Sequence, residues 1–353
     1  MKNLRVFYIL GRRGCILAEP LNAIGLNIKI SRFKGPRRLF GTIIEVVMQL
    51  VAFNKKPKVI LTDQMEFVPI VWLLSKIFKT GFVLMARGDF YAEAKQVNVS
   101  SSLLIYLVKL LMKINERLLC KTKALVTVSG YLALRLSSKI QVPQNRIFTV
   151  NRSVDVEKYS HWSQLEAKRQ LNWEDRKTIL SVTNFRFQEK VKGMNEILPY
   201  MKTMLRGFPD MQWAIAGIKG SYFTFFKRNA LEVVGSMERI CFLGYVDNLP
   251  LFYAASEFLV HFTFLDAFPR VVIEAQASGR PVIANNFGGV PEMICDGETG
   301  FIVSNGKQYI EKACMLLRDK VLCDKMGRLG KKFVSERYSP VRIGKQWVTI
   351  LES

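Results

Sequence analysis

Short apolar runs alternate with longer amphipathic stretches along this chain. The runs Arg5–Leu10, Lys58–Leu61, Phe82–Ala86, Ala124–Val128 and Ile147–Val150 have the length and composition of buried strands. Between them, Thr42–Phe53, Val68–Phe78 and Ser102–Leu119 show helical spacing of apolar positions. The rhythm pauses over Asn151–Leu171, a polar stretch that reads as a linker and holds His161. It resumes with strands at Thr178–Val182, Trp213–Ala216, Ile240–Leu243, Phe258–Phe262, Pro281–Ala284 and Phe301–Val303. Strand–helix alternation predicts parallel sheets with helices on both faces. The expected fold class is α/β, two Rossmann-like domains over residues 1–165 and 166–339 with a ligand cleft between them at the carboxyl ends of their strands. Met1–Leu10 is too short, and runs too directly into Arg12 and Arg13, for a signal peptide; it reads as the first strand. The longest apolar runs fall short of the roughly 20 residues that span a bilayer, so membrane contact is expected to be peripheral.

The densest chemical signal lies in residues 258–303. After the Phe258–Phe264 strand comes the loop Leu265-Asp266-Ala267-Phe268, then Pro269 opening a helix that ends at Gly279 with Pro281 beyond. Asp266 and Glu274 stand eight residues apart, one in the loop and one on the helix. Free N–H groups at Ala267, Phe268 and Arg270 suit a phosphate. A carboxylate at a helix start also stabilises a helix without any function, so the pair gains meaning from its surroundings. Those are Pro281-Val-Ile-Ala-Asn-Asn-Phe-Gly-Gly-Val-Pro-Glu292, then the tight turn Asp296-Gly-Glu-Thr-Gly300.

In order and spacing these elements resemble the family 4 glycosyltransferases, retaining enzymes of GT-B fold. The family's E-G-F-P loop and second Glu eight residues on correspond to Asp266-Ala-Phe-Pro-Arg-Val-Val-Ile-Glu274, with Asp in place of the first Glu and Ala267 in place of Gly. Its Gly-Gly-x-Pro-Glu loop and D-G-x-x-G turn correspond to Gly288–Glu292 and Asp296–Gly300. The resemblance implies that Arg186 and Lys192, six apart and followed by Gly193, meet the nucleotide diphosphate. It implies that Tyr245 and Val246 line the base pocket, that Glu274 holds ribose hydroxyls and Asp266 those of the transferred sugar. Gly11-Arg-Arg-Gly14 fills the place of a Gly-rich loop near the donor, and Arg87-Gly88-Asp89 that of the family's His-Gly-Asp, making Asp266, Arg87 and Asp89 the candidate catalytic groups. The C-terminal helix 340–353 is expected to cross back onto the first domain. Phe264, Phe268 and Phe287 read as packing rather than ligand stacking.

Composition then narrows the partners. Lys and Arg total 52 against 29 Asp and Glu, a net charge of +23, yet 49% of residues are apolar, which excludes a disordered basic tail. Six scattered cysteines without a CxxC pair, two histidines and no Asp-x-Asp dyad argue against a zinc ribbon, a disulfide scaffold and a metal centre. No metal and no cofactor are therefore expected, with Lys and Arg holding the donor phosphates. Residues 1–165 carry 26 Lys and Arg against 9 Asp and Glu, whereas 166–339 and the tail are nearly balanced. Charge asymmetry points to nucleic acid, an anionic membrane or an anionic substrate. Ser102–Leu119 is very apolar for a surface helix: it is either a core helix or an interfacial one, with Lys109, Lys113 and Arg117 forming a basic stripe. The expected partners are a nucleotide sugar, a lipid-linked or cell-surface glycan acceptor and an anionic membrane surface, in a cytoplasmic protein held peripherally at the membrane. Two rivals share part of the signal. A GT-B sugar-nucleotide epimerase shares the fold but relies on acids and histidines. A nucleic-acid-binding protein shares the charge, but no recognition helix, zinc spacing or RNP-like strand is present. An inactive transferase is a further possibility raised by Asp266, Ala267 and Arg87.

Overall fold

The computed structural model describes residues 6–10, 18–24, 29–32, 57–95 and 102–352. The chain divides into two compact units, Met1–Ser153 with Pro340–Ser353, and Val154–Ser339. Among its described residues the first holds six parallel strands: β1 (Val6–Leu10), β2 (Lys29–Arg32), β3 (Val59–Thr62), β4 (Gly81–Ala86), β5 (Ala124–Thr127) and β6 (Ile147–Thr149), in the order β2-β1-β3-β4-β5-β6. Strands β3, β4 and β5 are buried along almost their whole length, as their unbroken apolar sequence requires of a sheet covered on both faces. Strand β2 (Lys-Ile-Ser-Arg) has no such run and is not predicted by pattern; it lies at the sheet edge, where polar and charged residues are tolerated and discourage further pairing. The expected helix Thr42–Phe53 and Gly14 lie outside the described residues.

The helix Pro340–Glu352 groups with the first unit. Its approach to the helix Ala18–Asn22 depends on Gly344, where a Cβ would stand 2.2 Å from the Pro20 carbonyl oxygen. Trp347, Ile350 and Leu351 are buried, and Lys123 Nζ donates to the Leu351 carbonyl at 3.3 Å.

The second unit repeats the plan with β7 (Lys177–Val182), β8 (Met211–Ala216), β9 (Ile240–Gly244), β10 (Phe258–His261), β11 (Val282–Asn285) and β12 (Gly300–Val303), all parallel, in the order β12-β11-β10-β7-β8-β9. Trp213, Phe226, Phe185, Met194, Met201 and Ile283 lie in its core. Trp213 is fully buried because its indole N–H finds the Ser181 hydroxyl at 2.9 Å. The α/β class predicted from alternation is the one found.

One organisational expectation changes. The polar stretch 151–171 is not a linker, and the boundary falls before 165. Helices Val156–Tyr159 and Gln164–Leu171 belong to the second unit. The latter starts on a capping box of Ser163 and Glu166 and buries Ala167 against Leu251, Ala254 and Ala255. One small apolar residue per turn suffices for that contact, and so leaves no amphipathic signature.

Candidate active site

In the second unit the order of connection reverses between β7 and β10, which lie side by side. In doubly wound sheets ligands bind at such a reversal, outside the carboxyl ends of the strands. The loop after β7 carries Arg186 and runs into the helix Gln188–Glu196, with Lys190 and Lys192; the loop after β10 carries Asp266 and runs into the helix Arg270–Ala277, with Glu274. Gly193 brings these segments together. A Cβ there would sit 2.4 Å from the Phe262 carbonyl oxygen, so the first helix lies backbone-to-backbone against the end of β10. Gly217 and Gly220 do the same for the loops after β7 and β8, meeting the backbone of Thr183 and Phe185.

Asp266 is the centre of the arrangement, its side chain 15% exposed. Its Oδ1 stands 2.6 Å from Lys190 Nζ, and its Oδ2 accepts from the Thr263 hydroxyl at 2.9 Å and faces His261 Nε2 at 3.5 Å. Burial pushes this carboxyl's pKa up, but Lys190 and then His261 more than reverse that and hold it well below the ordinary carboxylate range. The loop itself is clamped by Asn285 at the end of β11. Its Oδ1 accepts from the Thr263 N–H at 3.0 Å, and its Nδ2 donates to the Thr263 carbonyl at 2.8 Å.

Glu274 is 7% exposed. Its Oε2 accepts from the Tyr253 hydroxyl at 3.1 Å and its Oε1 lies 3.1 Å from Arg270 Nε, one turn earlier on the same helix. Burial first, and Glu274 second, raise the Tyr253 phenol pKa well above its ordinary value. Pro269 differs from expectation by one place: it is the N-cap, with φ −72° and ψ 110°, and Arg270 is the first helical residue. Ala267 and Phe268 are buried, at 5% and 4% exposure, and Phe268 packs edge-on against Tyr338. These residues therefore offer a ligand their backbone, not their side chains. Phe264 and Phe287 also meet edge-to-face, as packing groups.

Arg186 and Lys192 are exposed, in contrast to Lys190. Lys192 Nζ lies 5.0 Å over the Phe264 ring and, among the described residues, has no carboxylate partner; nor has Arg186. Two residues apart on one helix, Lys190 and Lys192 point in different directions: one neutralises Asp266 and the other stays available to a ligand. Tyr245 is 70% exposed beyond β9, and Val246 half-buried.

The structure adds Lys190, His261, Thr263, Asn285 and Tyr253 to the site. Lys190 stood in the Lys-Val-Lys-Gly run, but spacing alone does not say which lysine turns inward. His261 and Asn285 sit at the ends of apolar strands and carry no motif.

In the first unit Arg87 and Asp89 follow β4 but do not pair with each other. Arg87 Nη1 meets Asp63 Oδ2 at 2.5 Å, just after β3. Asp89 is 4% exposed and caps the helix Phe90–Lys95, accepting from the N–H groups of Tyr91 (3.0 Å) and Ala92 (3.1 Å); its other oxygen takes Arg135, with Lys139 Nζ at 3.9 Å. Burial alone would raise its pKa; the Arg135 bond and these neighbours lower it. Asp89, expected as a catalytic carboxylate, has one oxygen engaged by the helix it caps and the other by Arg135.

Residues 163–333 match the model of the glycosyl transferases group 1 family. That span lies inside the second unit and includes Arg186, Lys190, Lys192, Asp266 and Glu274. The chain is 26% identical over 247 residues to spore coat protein SA of Bacillus subtilis, covering 65% of this chain and 64% of that one. It is 26% identical over 231 residues to the N-acetyl-alpha-D-glucosaminyl L-malate synthase of Bacillus anthracis, covering 64% of this chain and 58% of that one. The matches thus span less than two-thirds of the length of these relatives. Among solved structures, Anabaena HepE in complex with UDP superposes with a TM-score of 0.76 at 15% identity, covering 99% of both chains. Sucrose-phosphate synthase from Thermosynechococcus elongatus gives 0.76 at 16% identity, over 99% of this chain and 98% of that one. At such identities the likeness establishes the fold, that of the GT-B glycosyltransferases.

Proposed function

We propose that this protein is a retaining glycosyltransferase that moves a sugar from a nucleotide diphosphate sugar to a lipid-linked or cell-surface glycan acceptor at the cytoplasmic face of a membrane. The observation that carries the reading is the division of charge at the β7/β10 switch point. Asp266 is neutralised by Lys190, while Lys192 and Arg186, from the same connecting segment, remain exposed without carboxylate partners among the described residues. Cations held beside an open helix N-terminus favour the charge that grows on a departing diphosphate. In this reading Asp266 binds hydroxyls of the transferred sugar and Glu274 those of the ribose. Tyr245 and Val246 flank the base. Lys and Arg do the work of a metal, so a chelator leaves turnover unchanged. UDP is the favoured nucleotide, because HepE, of the same fold, was solved with UDP.

The test is a thermal-shift series with UDP- and GDP-sugars on the wild type, Lys192→Ala and Arg186→Ala. The reading expects a shift with one nucleotide class that both variants lose. An equal shift in all three proteins overturns the site. Proton NMR of the product then checks retention, since an inverted anomer rejects that part alone.

A further inference from the structure

A second cluster of cations lies at the opposite edge of the first unit's sheet from Arg87. Arg87 follows the last residue of β4, whereas a cavity of about 640 Å³ opens where that strand begins. Among the described residues it is lined by Lys76, Lys79, Lys121, Lys123 and Arg146, together with Trp72, and by no carboxylate. The arrangement follows from topology. Four neighbouring parallel strands start at this edge and a cation stands at or near each entrance: Lys58 before β3, Lys79 before β4, Lys123 before β5 and Arg146 before β6. None of the five lining cations has an ion-pair partner among the described residues.

Three further observations mark this as a built site. Lys121 Nζ lies 5.3 Å over the Trp72 ring, so one of the lining cations is held against the aromatic wall of the cavity. Gly81 leaves room for the Lys123 stem, which a Cβ would meet at 2.8 Å. Burial first, and repulsion from Lys58 second, lower the Lys123 pKa, a conflict that a bound anion would relieve. Beside the cavity the helix Val68–Ile77 exposes Leu73 (53%) and Ile77 (63%), next in sequence to Trp72 and Lys76. The helix Ser102–Leu119, in contact with it, exposes Leu110, Leu111 and Ile114 beside Lys113 and Arg117. Large apolar side chains among cations are the composition of a surface that enters an anionic bilayer interface.

We infer that this cavity binds the phosphate of an anionic phospholipid headgroup, with Leu73 and Ile77 entering the acyl boundary beside it. This rests on the membrane-face reading above and names the part of the first unit that meets the lipid. It is separate from donor binding.

The experiment is flotation of the full chain on phosphatidylcholine vesicles with and without phosphatidylglycerol, for three proteins. These are the wild type, Lys76→Gln/Lys79→Gln/Lys121→Gln, and a second-unit control of equal charge loss, Arg206→Gln/Lys227→Gln/Lys325→Gln. The wild type and control are expected to partition onto anionic vesicles. The cavity variant should lose about 100-fold in partitioning, three charges at roughly fivefold each, with its melting temperature and nucleotide-sugar shift intact. A fourth protein, Leu73→Ser/Ile77→Ser, should lose binding to the same vesicles while keeping any protection by glycerol phosphate. A wild type indifferent to phosphatidylglycerol overturns the membrane reading as a whole. Equal loss in cavity variant and control overturns the cavity assignment alone. Protection by free glycerol phosphate or inorganic phosphate without vesicle binding overturns the lipid source. A gel shift with RNA that the cavity variant abolishes overturns the proposal in favour of nucleic acid.

Discussion

The two units share a plan, six parallel strands with helices between them, yet treat charge in opposite ways. At the carboxyl edge of the second unit's sheet, acids and bases are paired at close range: Asp266 with Lys190, Glu274 with Arg270 and Tyr253. At the amino edge of the first unit's sheet, five cations line one cavity with no acid among its described residues. A buried pair tolerates desolvation because each charge meets its opposite. A set of like charges persists only where water or an anion from outside reaches it. The comparison therefore separates residues whose loss unfolds a site from residues whose loss empties it.

The largest effect belongs to Asp266. Asp266→Asn leaves the Lys190 ammonium and His261 without their carboxylate, and should lower stability by about 3 kcal/mol and remove transfer activity, read by urea denaturation and assay. Because the folded pKa of Asp266 is depressed, its stabilisation is complete above the ordinary carboxylate value of about 3.9 and fades as pH falls towards the folded value. Over that acid range the wild type should lose stability more steeply than Asp266→Asn. Parallel urea midpoints would deny the pairing.

Lys192→Ala is the opposite case. It should reduce kcat/KM by about a hundredfold, the scale of one electrostatic donor, while changing the melting temperature by less than about 2 °C, since this exposed lysine's one contact is with the Phe264 ring and surface substitutions of that kind cost little. A large fall in melting temperature would place Lys192 with Lys190 and blur the distinction.

Gly193→Ala forces a methyl group into the Phe262 carbonyl. It should lower stability by about 2 kcal/mol and weaken nucleotide-sugar binding, because the lysine-bearing helix moves off β10; calorimetry and titration check both. The smallest effect is Tyr253→Phe, which leaves Glu274 one donor short in a buried setting and should destabilise by about 1 kcal/mol, with binding of the nucleotide changed more than the chemical step.

Much of this was legible along the chain. All eleven predicted strands are present, because parallel strands buried on both faces are written as unbroken apolar runs. The twelfth, β2, was missed because an edge strand need not be apolar. The stretch 258–303 was legible because strand, loop, helix and turn are consecutive there. His261 and Asn285 were not: each ends an apolar strand and carries no motif, and Asn285 reaches Thr263 only after β10 and β11 lie side by side. Arg87 and Asp89, two residues apart in sequence, take Asp63 and Arg135 as partners, links across 24 and 46 residues that only strand order creates.

By itself the sequence determined the α/β class, the twofold repetition of the plan, the strand–loop–helix that carries Asp266 and Glu274, and the basic excess of the first part of the chain. These depend on hydrophobic period, turn residues and counts, which are local quantities. The tertiary structure decided which charges are paired and which are free. Lys190 and Lys192 have the same chemistry two residues apart, and their roles differ because the helix turns one of them towards β10. The lysines and arginine of the amino-edge cavity are scattered over residues 76–146, and become one site only because parallel strands bring all their starting points to the same side.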